Sequence, residues 1–403
     1  MDKITQDLQS IFKHAVNAVN GKKVVHQELK EGVYPNEFHV VAIGKAADSM
    51  LQGITEDRLL SALLITKQGH ISKQSLQNNK IICIESAHPI PKESSLQAGK
   101  ALLDFLQNLP DREPCLFLIS GGTSALVEVL KDGWNLPLLA ELNQYLLNNA
   151  YSIDQINAVR REISQIKGGG LWRYIQNRAV YCLMISDVKG DHRADIGSGL
   201  LFPKKDNKLP TLPEKWLSKI PQNKGIVIKI APSFNGKIIA SLAFAKKAAA
   251  NKAEELGYQV QVMPDFLKGN AEKVAIDCVQ AIRSKANTLF IWGGETTVQL
   301  PENAGSGGRN QHLALAAAIE MQGLKGSVLL AAGTDGSDAM TDATGAIASD
   351  KTVSKGLQQN LKATEYLAKA DSNSYFKKLE GLIVTGATGT NVMDLVLALQ
   401  VQD

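Results

Sequence analysis

The sequence predicts a doubly wound α/β protein of two domains, and three observations carry that reading. Its 403 residues exceed what one hydrophobic core usually serves. Of six short apolar runs, most lack polar alternation, as parallel strands covered on both faces do: HVVAIG (39–44), CLFLIS (115–120), VYCLMIS (180–186), LFIW (289–292), VLLAA (328–332) and GLIVTG (381–386). Between them lie clusters of small and polar residues and stretches with apolar residues at helical spacing, such as SLQAGKALLDFLQNL and KIIASLAFAKKAAANKAEELG. Strand, loop and helix repeated in this way describe doubly wound α/β.

The domain boundary is expected near residues 203–225. That stretch holds Pro203, Pro210, Pro213 and Pro221, is polar, and interrupts the strand–helix rhythm, with one short helix at EKWLSKI. The expected domains are therefore 1–215 and 225–403. Residues 131–136 and 301–308 read as loops.

Composition narrows the function. A net charge of +4 on mixed, scattered Lys, Arg, Asp and Glu disfavours nucleic acid as a partner. Cys83, Cys115, Cys182 and Cys278 sit singly in apolar runs, without CxxC spacing, and read as buried thiols of a reducing compartment. The segment MDKITQDLQSIFKHAVNAV is amphipathic and carries acids, unlike a signal peptide. No apolar run approaches the ~18 residues of a membrane span. The expectation is a cytoplasmic protein without a membrane partner.

In open parallel sheets ligands bind beyond the carboxyl ends of the strands, and the unusual residues of this chain gather there. The first run leads into GKAADSM, with Lys45 at the opening of a helix. The second leads into Ser120, Gly121, Gly122, Thr123 and Ser124, where two glycines allow close backbone approach and the next helix offers N–H groups to an anion. The third leads into SDVKGDHRADIGSG, with Asp187, Asp191 and Ser198. Later come GGETTVQL, GSGGRNQHLAL, AAGTDGSDAMTDATGA and TGATGTNVMDL. One glycine-rich turn alone reads equally as a tight connection; the recurrence of such turns at strand ends favours a site for an anion. Neither GxxxxGK[ST] nor a strand followed by GxGxxG is present, which disfavours the common nucleotide folds.

Lys45 suits neutralisation of phosphate charge, and Arg309, between Gly308 and Asn310, suits bidentate contact with a carboxylate or phosphate. Asp187, Asp191, Asp335, Asp338 and Asp342 are candidates for Mg²⁺, with helix capping as the competing role. Together these groups meet the needs of phosphoryl transfer, which are positioning and charge neutralisation. His88, in AHPIP, reads chiefly as a structural turn residue.

At these motifs the chain resembles the glycerate 2-kinase family with a C-terminal MOFRL domain, many of whose members carry an older label as hydroxypyruvate reductases. The resemblance runs in order through VVAIGKAADSM, AHPIPKESSLQAGKALLDFL, LFLISGGTSALVEV, INAVRREISQIKGGGL, MISDVKGDHRADIGSG, GGETTVQL, GSGGRNQHLALAAAI, LLAAGTDGSDAMTDATGA and TGATGTNVMDL. It implies a Rossmann-like parallel sheet in the first domain and a mixed-sheet, three-layer second domain, with the MOFRL region at about 285–395 and the active site in a cleft between the domains. It also implies transfer of phosphate from ATP, with Mg²⁺, to D-glycerate, giving 2-phosphoglycerate. Lys45 and Arg309 match the family's active-site lysine and arginine. By the same matching, Arg160, Lys167, Glu295, Thr296, Asn310 and Asn391 join Ser120–Ser124 as substrate- or phosphate-binding positions. A homodimer is the assembly entertained.

The chain departs from the family pattern at Glu162, where a histidine is usual, and at Gly170, where a basic residue is usual. Leu200 replaces the proline of ASGP, and Ala339 replaces a glycine. Two other functions stay open. One is a nicotinamide-dependent hydroxypyruvate reductase, against which the missing GxGxxG speaks. The other is a non-catalytic protein that binds a nucleotide or anion.

Overall fold

A computed structural model describes residues 3–175, 178–204, 208–221 and 234–402. The chain forms two compact units, Gly21–Ile239 and a second composed of Met1–Asn20 with Ala240–Asp403. This departs from the expected 1–215 and 225–403 at the amino end. The first helix, α1 (Lys3–Ala18), buries Leu8, Ile11, Phe12 and Ala15 on one stripe, and that stripe packs in the second unit. Residues 205–207 and 222–225 of the expected connection lie outside the described residues.

The Gly21–Ile239 unit runs α2 (Gly21–Glu31), β1 (Phe38–Ile43), α3 (Ala47–Leu51), β2 (Leu59–Lys67), α4 (Lys73–Gln77), β3 (Ile81–Ser86) and α5 (Glu93–Asn108). It continues with β4 (Cys115–Ile119), α6 (Thr123–Leu126), α7 (Leu136–Asn148), α8 (Ile153–Ile163), β5 (Val180–Ile185), α9 (Glu214–Leu217) and β6 (Asn235–Ala240). The sheet order is β3-β2-β1-β4-β5-β6, and β1 to β5 pair in parallel. β1 and β4 are buried along their whole length, which explains their uninterrupted apolar sequence. Val41, Ile43, Phe117 and Ile119 face α5 through Ala98, Leu102 and Leu106, while α3 packs against β1, β2 and β4. α7, α8 and α9 enclose a smaller core around Leu142, Val159 and Trp216.

The stretch 237–257, expected as helix, divides. Residues up to Ala240 form β6, Ser241 is extended, and α10 (Leu242–Glu255) follows. The second unit adds β7 (Gln259–Asn270), α11 (Ala271–Ser284), β8 (Thr288–Thr297), α12 (Arg309–Glu320), β9 (Ser327–Gly333) and β10 (Gly345–Ser349). It ends with α13 (Thr352–Gln358), α14 (Ala363–Ala368), α15 (Ser372–Lys378), β11 (Leu382–Ile383) and β12 (Asp394–Gln400). The sheet order is β11-β10-β9-β12-β8-β7; β12 runs antiparallel to β8 and β9, and β7 parallel to β8. The run at 381–386 yields only the two-residue β11. Phe290, Trp292, Leu329, Ala331, Val396 and Ala398 face α11 and α12. α10 lies against β7 and β8, and α1 against β9 and β12, giving three layers. No described helix is long and apolar enough to cross a membrane.

Candidate active site

The strand order of the Gly21–Ile239 unit fixes where a ligand would meet it. The chain leaves β1 through α3 to β2 on one side, and crosses from β3 through α5 to β4 on the other. Such a reversal between neighbouring strands is where open α/β sheets bind their ligands, at the carboxyl ends. Gly44 and Lys45 follow β1 there, and Ser120–Ser124 follow β4.

The two strand ends are knotted together. Ser120 N–H donates to the Ile43 carbonyl at 3.0 Å, and Lys45 N–H to the Gly121 carbonyl at 2.9 Å. The Ser120 hydroxyl accepts from Ala46 N–H at 3.1 Å, and the Thr123 hydroxyl reaches the Ser120 carbonyl at 2.7 Å. Gly44 has φ +131°, and a Cβ there would stand 2.1 Å from Ser120 Oγ, so no side chain fits. Ser120 and Thr123, expected to touch phosphate, are wholly buried and bind backbone instead. Gly122 and Ser124 are the partly exposed members, and the Ser124 hydroxyl meets that of Ser198 at 2.9 Å. α6 begins here, and the first N–H groups of any helix lack partners within it.

Gly122 brings two side chains together. Its φ is +86°, and a Cβ on it would lie 3.0 Å from His88 Cδ2 and 3.2 Å from Lys45 Cγ. Lys45 and His88 therefore flank one glycine at the switch point. His88, read from sequence as a turn residue, stands beside the predicted lysine.

Lys167 has a different place from the one expected. Its ammonium pairs with Glu128, with side chains 0% and 1% exposed. Glu128 also accepts from the Ser164 hydroxyl at 2.6 Å and from Val129 N–H at 3.1 Å. Burial pulls the lysine below its ordinary value, and the Glu128 carboxylate opposes that. Sealed this way, Lys167 cannot offer its charge to a ligand. Arg160, in the last turn of α8, donates to Asn143 Oδ1 at 3.3 Å, and burial likewise lowers it, with Glu128 opposing. Asp187 and Asp191 lie half-buried after β5, Asp191 at φ +54°.

The second unit builds around Arg309, the first residue of α12. Its Nε donates to Asp394 Oδ2 at 2.6 Å and its Nη2 to Asp394 Oδ1 at 3.1 Å, while Nη1 meets Glu295 at 2.5 Å. Burial would lower the guanidinium, and the carboxylates of Asp394 and Glu295 reverse that and raise it. Glu295, matched from sequence as a phosphate-binding position, is a counter-ion here, as a carboxylate's acceptor chemistry requires.

Asp338 is likewise redirected from its expected metal role. Its Oδ1 accepts from Asn310 N–H at 3.2 Å and Asn310 Nδ2 at 3.4 Å, and its Oδ2 accepts from Gln311 N–H at 2.9 Å and Gln311 Nε2 at 3.1 Å. It thus caps α12 from outside the helix, and Gly308 leaves it room, since a Cβ there would lie 2.2 Å from Asp338 Cγ. Asp335 turns one oxygen to Ser337 N–H and hydroxyl, both at 3.0 Å; Asp342 is exposed. Thr296 is buried, and its hydroxyl has no hydrogen-bond partner among the described residues. Asn310 and Asn391 are buried, Asn391 in the loop entering β12. Among the described residues, no group of three or more His, Cys, Asp or Glu side chains could hold a metal by itself.

A family described as a domain of unknown function (DUF4147) matches residues 7–215, and the MOFRL family matches residues 288–394. A D-glycerate 2-kinase of Thermotoga maritima is 31% identical over 407 residues, covering 96% of each chain. The chain belongs to the glycerate 2-kinase family. A glycerate 2-kinase of Pyrococcus horikoshii is 32% identical over 96% of this chain and 93% of its own. A protein of Agrobacterium vitis named putative hydroxypyruvate reductase is 31% identical over 88% of this chain and 97% of its own. The crystal structure of a Thermotoga maritima glycerate kinase aligns with a TM-score of 0.86 at 30% identity, over 99% of this chain and 100% of that one.

The family departures have local physical accounts. A Cβ on Gly170 would lie 2.2 Å from the Gln165 carbonyl, so the basic residue usual there has no room in this backbone. Glu162 has Lys131 as an electrostatic neighbour that it favours in the charged form. Ala339 has a left-handed φ of +56°, which costs a residue with a Cβ on the order of 1 kcal/mol and a glycine little. Leu200 joins the core beneath β4 and β5.

Proposed function

We propose that the protein transfers the γ-phosphoryl group of ATP to D-glycerate, yielding 2-phosphoglycerate and ADP. What carries this reading is the lysine beside a glycine at the β1/β4 switch point, in a chain whose near full-length relatives are named glycerate 2-kinases. In this reading Lys45 neutralises phosphoryl charge, and N–H groups at the start of α6 and the bare backbone of Gly122 receive phosphate oxygens. Arg309 binds a carboxylate or phosphoryl group with its guanidinium edge. His88 lies within reach of the same glycine and serves as proton carrier or hydrogen-bond donor.

Magnesium fits this donor set. The ion commonly takes one or two protein carboxylates and leaves the rest to phosphate and water. Asp187 and Asp191, both after β5, are the carboxylates proposed to hold it, whereas both oxygens of Asp338 already accept helix N–H groups. When bound, the ion would neutralise charge on the nucleotide phosphates. We place the reaction in the cytoplasm; fractionation tests that, and sizing in solution tests the homodimer.

The decisive assay combines the protein with ATP, Mg²⁺ and D-glycerate and follows ADP release, with phosphorus NMR to identify the phosphorylated carbon. Lys45→Ala should lower kcat by about 10²-fold or more with the fold intact. Failure to form phosphoglycerate, together with NADH oxidation in the presence of hydroxypyruvate, would overturn the reading in favour of a reductase.

A further inference from the structure

Arg309 carries two carboxylates of opposite character. Asp394 opens β12 in register with Gly294 of β8 and Gly333 of β9, so its backbone is held on both sides. Its side chain is 6% exposed and engages the Nε/Nη2 edge as a fork. Glu295 follows Gly294 within β8, is 48% exposed, and meets Nη1. One cation with two anions gives the cluster a net charge of −1 (+1 − 2), so it would repel a phosphate or carboxylate ligand as it stands.

Asp394 and Glu295 engage three of the five N–H groups of Arg309, so an anion that takes up the guanidinium more fully must displace a carboxylate, and the structure decides which. Releasing Asp394 would leave a buried charge unpaired, which is strongly unfavourable. Releasing Glu295 returns a half-exposed carboxylate to water, where exposed pairs are weak. We propose that Asp394 is the positioning residue that aims Arg309, and that Glu295 is a counter-ion displaced from Nη1 by the anionic ligand. This rests on the reading of Arg309 as a ligand-binding residue of a kinase. The fork on Nε and Nη2 leaves the Nη1/Nη2 side of the guanidinium for a ligand, and Glu295 competes for it at Nη1.

The test is steady-state kinetics of the full chain with MgATP and D-glycerate. Asp394→Asn is expected to lower kcat about tenfold or more while both KM values stay within about twofold, because aim is lost and not the binding surface. Glu295→Gln is expected to lower the KM of one substrate by about threefold or more, because a neutral amide competes less well for Nη1. In an Arg309→Ala background, adding Asp394→Asn should cost nothing further in kcat, the non-additivity expected of residues acting through one group. Should Asp394→Asn fail to fold, Asp394→Glu retains the charge, displaces the fork by one methylene, and should show the same loss of kcat. A rise in KM for Glu295→Gln, or an equal loss from Asp394→Asn with and without Arg309, overturns the proposal. Full activity of Arg309→Ala instead removes the underlying assignment of Arg309.

Discussion

Each unit contains a cation held by acid, Lys167 by one carboxylate and Arg309 by two, and the two sites differ most in exposure. Lys167 and Glu128 are sealed, at 0% and 1% exposure, whereas the Arg309 side chain is 35% exposed. A sealed pair has no alternative partner, so its charge serves only to compensate the opposite charge. An open one can exchange a carboxylate for a ligand. Exposure, more than residue type, separates a structural ion pair from a usable one, and it is why two basic residues matched by the same family motifs receive different roles here.

The largest effect that would sharpen this contrast is on stability. Glu128→Ala strands the buried Lys167 beside Arg160 and should cost about 3–5 kcal/mol in urea unfolding; a loss below about 1 kcal/mol would show that water reaches the pair and would break the comparison. Glu295→Ala removes the half-exposed partner of Arg309 and leaves the Asp394 fork in place, so its stability cost should be smaller, about 1 kcal/mol or less. Equal destabilisation by the two variants would mean that exposure does not distinguish them.

Acid should distinguish the regions next. Burial pushes Asp338 up to about 6, with Asp394 adding to the rise against the N–H groups of Gln311 and Asn310. Because its folded value lies above the ordinary carboxyl value, the native state holds a proton that the unfolded chain has lost between about pH 4 and 6. The cost of keeping Asp338 ionised in the fold is therefore relieved as pH falls through 6. Relative to Asp338→Asn, the parent protein should gain about 1–3 kcal/mol of unfolding free energy from pH 7 to 4.5. A difference between them that stays constant with pH would remove Asp338 from the open cluster's electrostatics. The smallest effect belongs to the switch point, where Ser124→Ala deletes one hydroxyl contact with Ser198 and should cost about 1 kcal/mol, without pH dependence.

Much of this could be read from the residues. β1, β4 and β5 lie within a residue or so of the apolar runs that predicted them, because a strand covered on both faces must be apolar throughout. The glycines after β1 and β4 were legible for a related reason: close approach of strand ends excludes a Cβ at Gly44, and a φ of +86° favours glycine at Gly122. The second sheet was harder to read. β12 begins in a motif quoted for its glycines and threonines, and nothing local marks Asp394 as the fork on an arginine 85 positions earlier. Asp338 resembled a metal ligand because three acids fall in TDGSDAMTD, yet it caps a helix that begins 29 positions before it in the chain. α1 was assigned by chain order, whereas its apolar stripe finds its partner in α10, more than two hundred residues away.

The sequence by itself determined the fold class, the family and the positions where the backbone must bend tightly or approach closely, because those follow from local sterics and from burial periodicity. The tertiary structure alone decided which charges are compensated and which remain exchangeable. That depends on the solvent exposure and pairing of groups far apart in the chain, and a cation's availability is fixed by the carboxylate that folding brings to it.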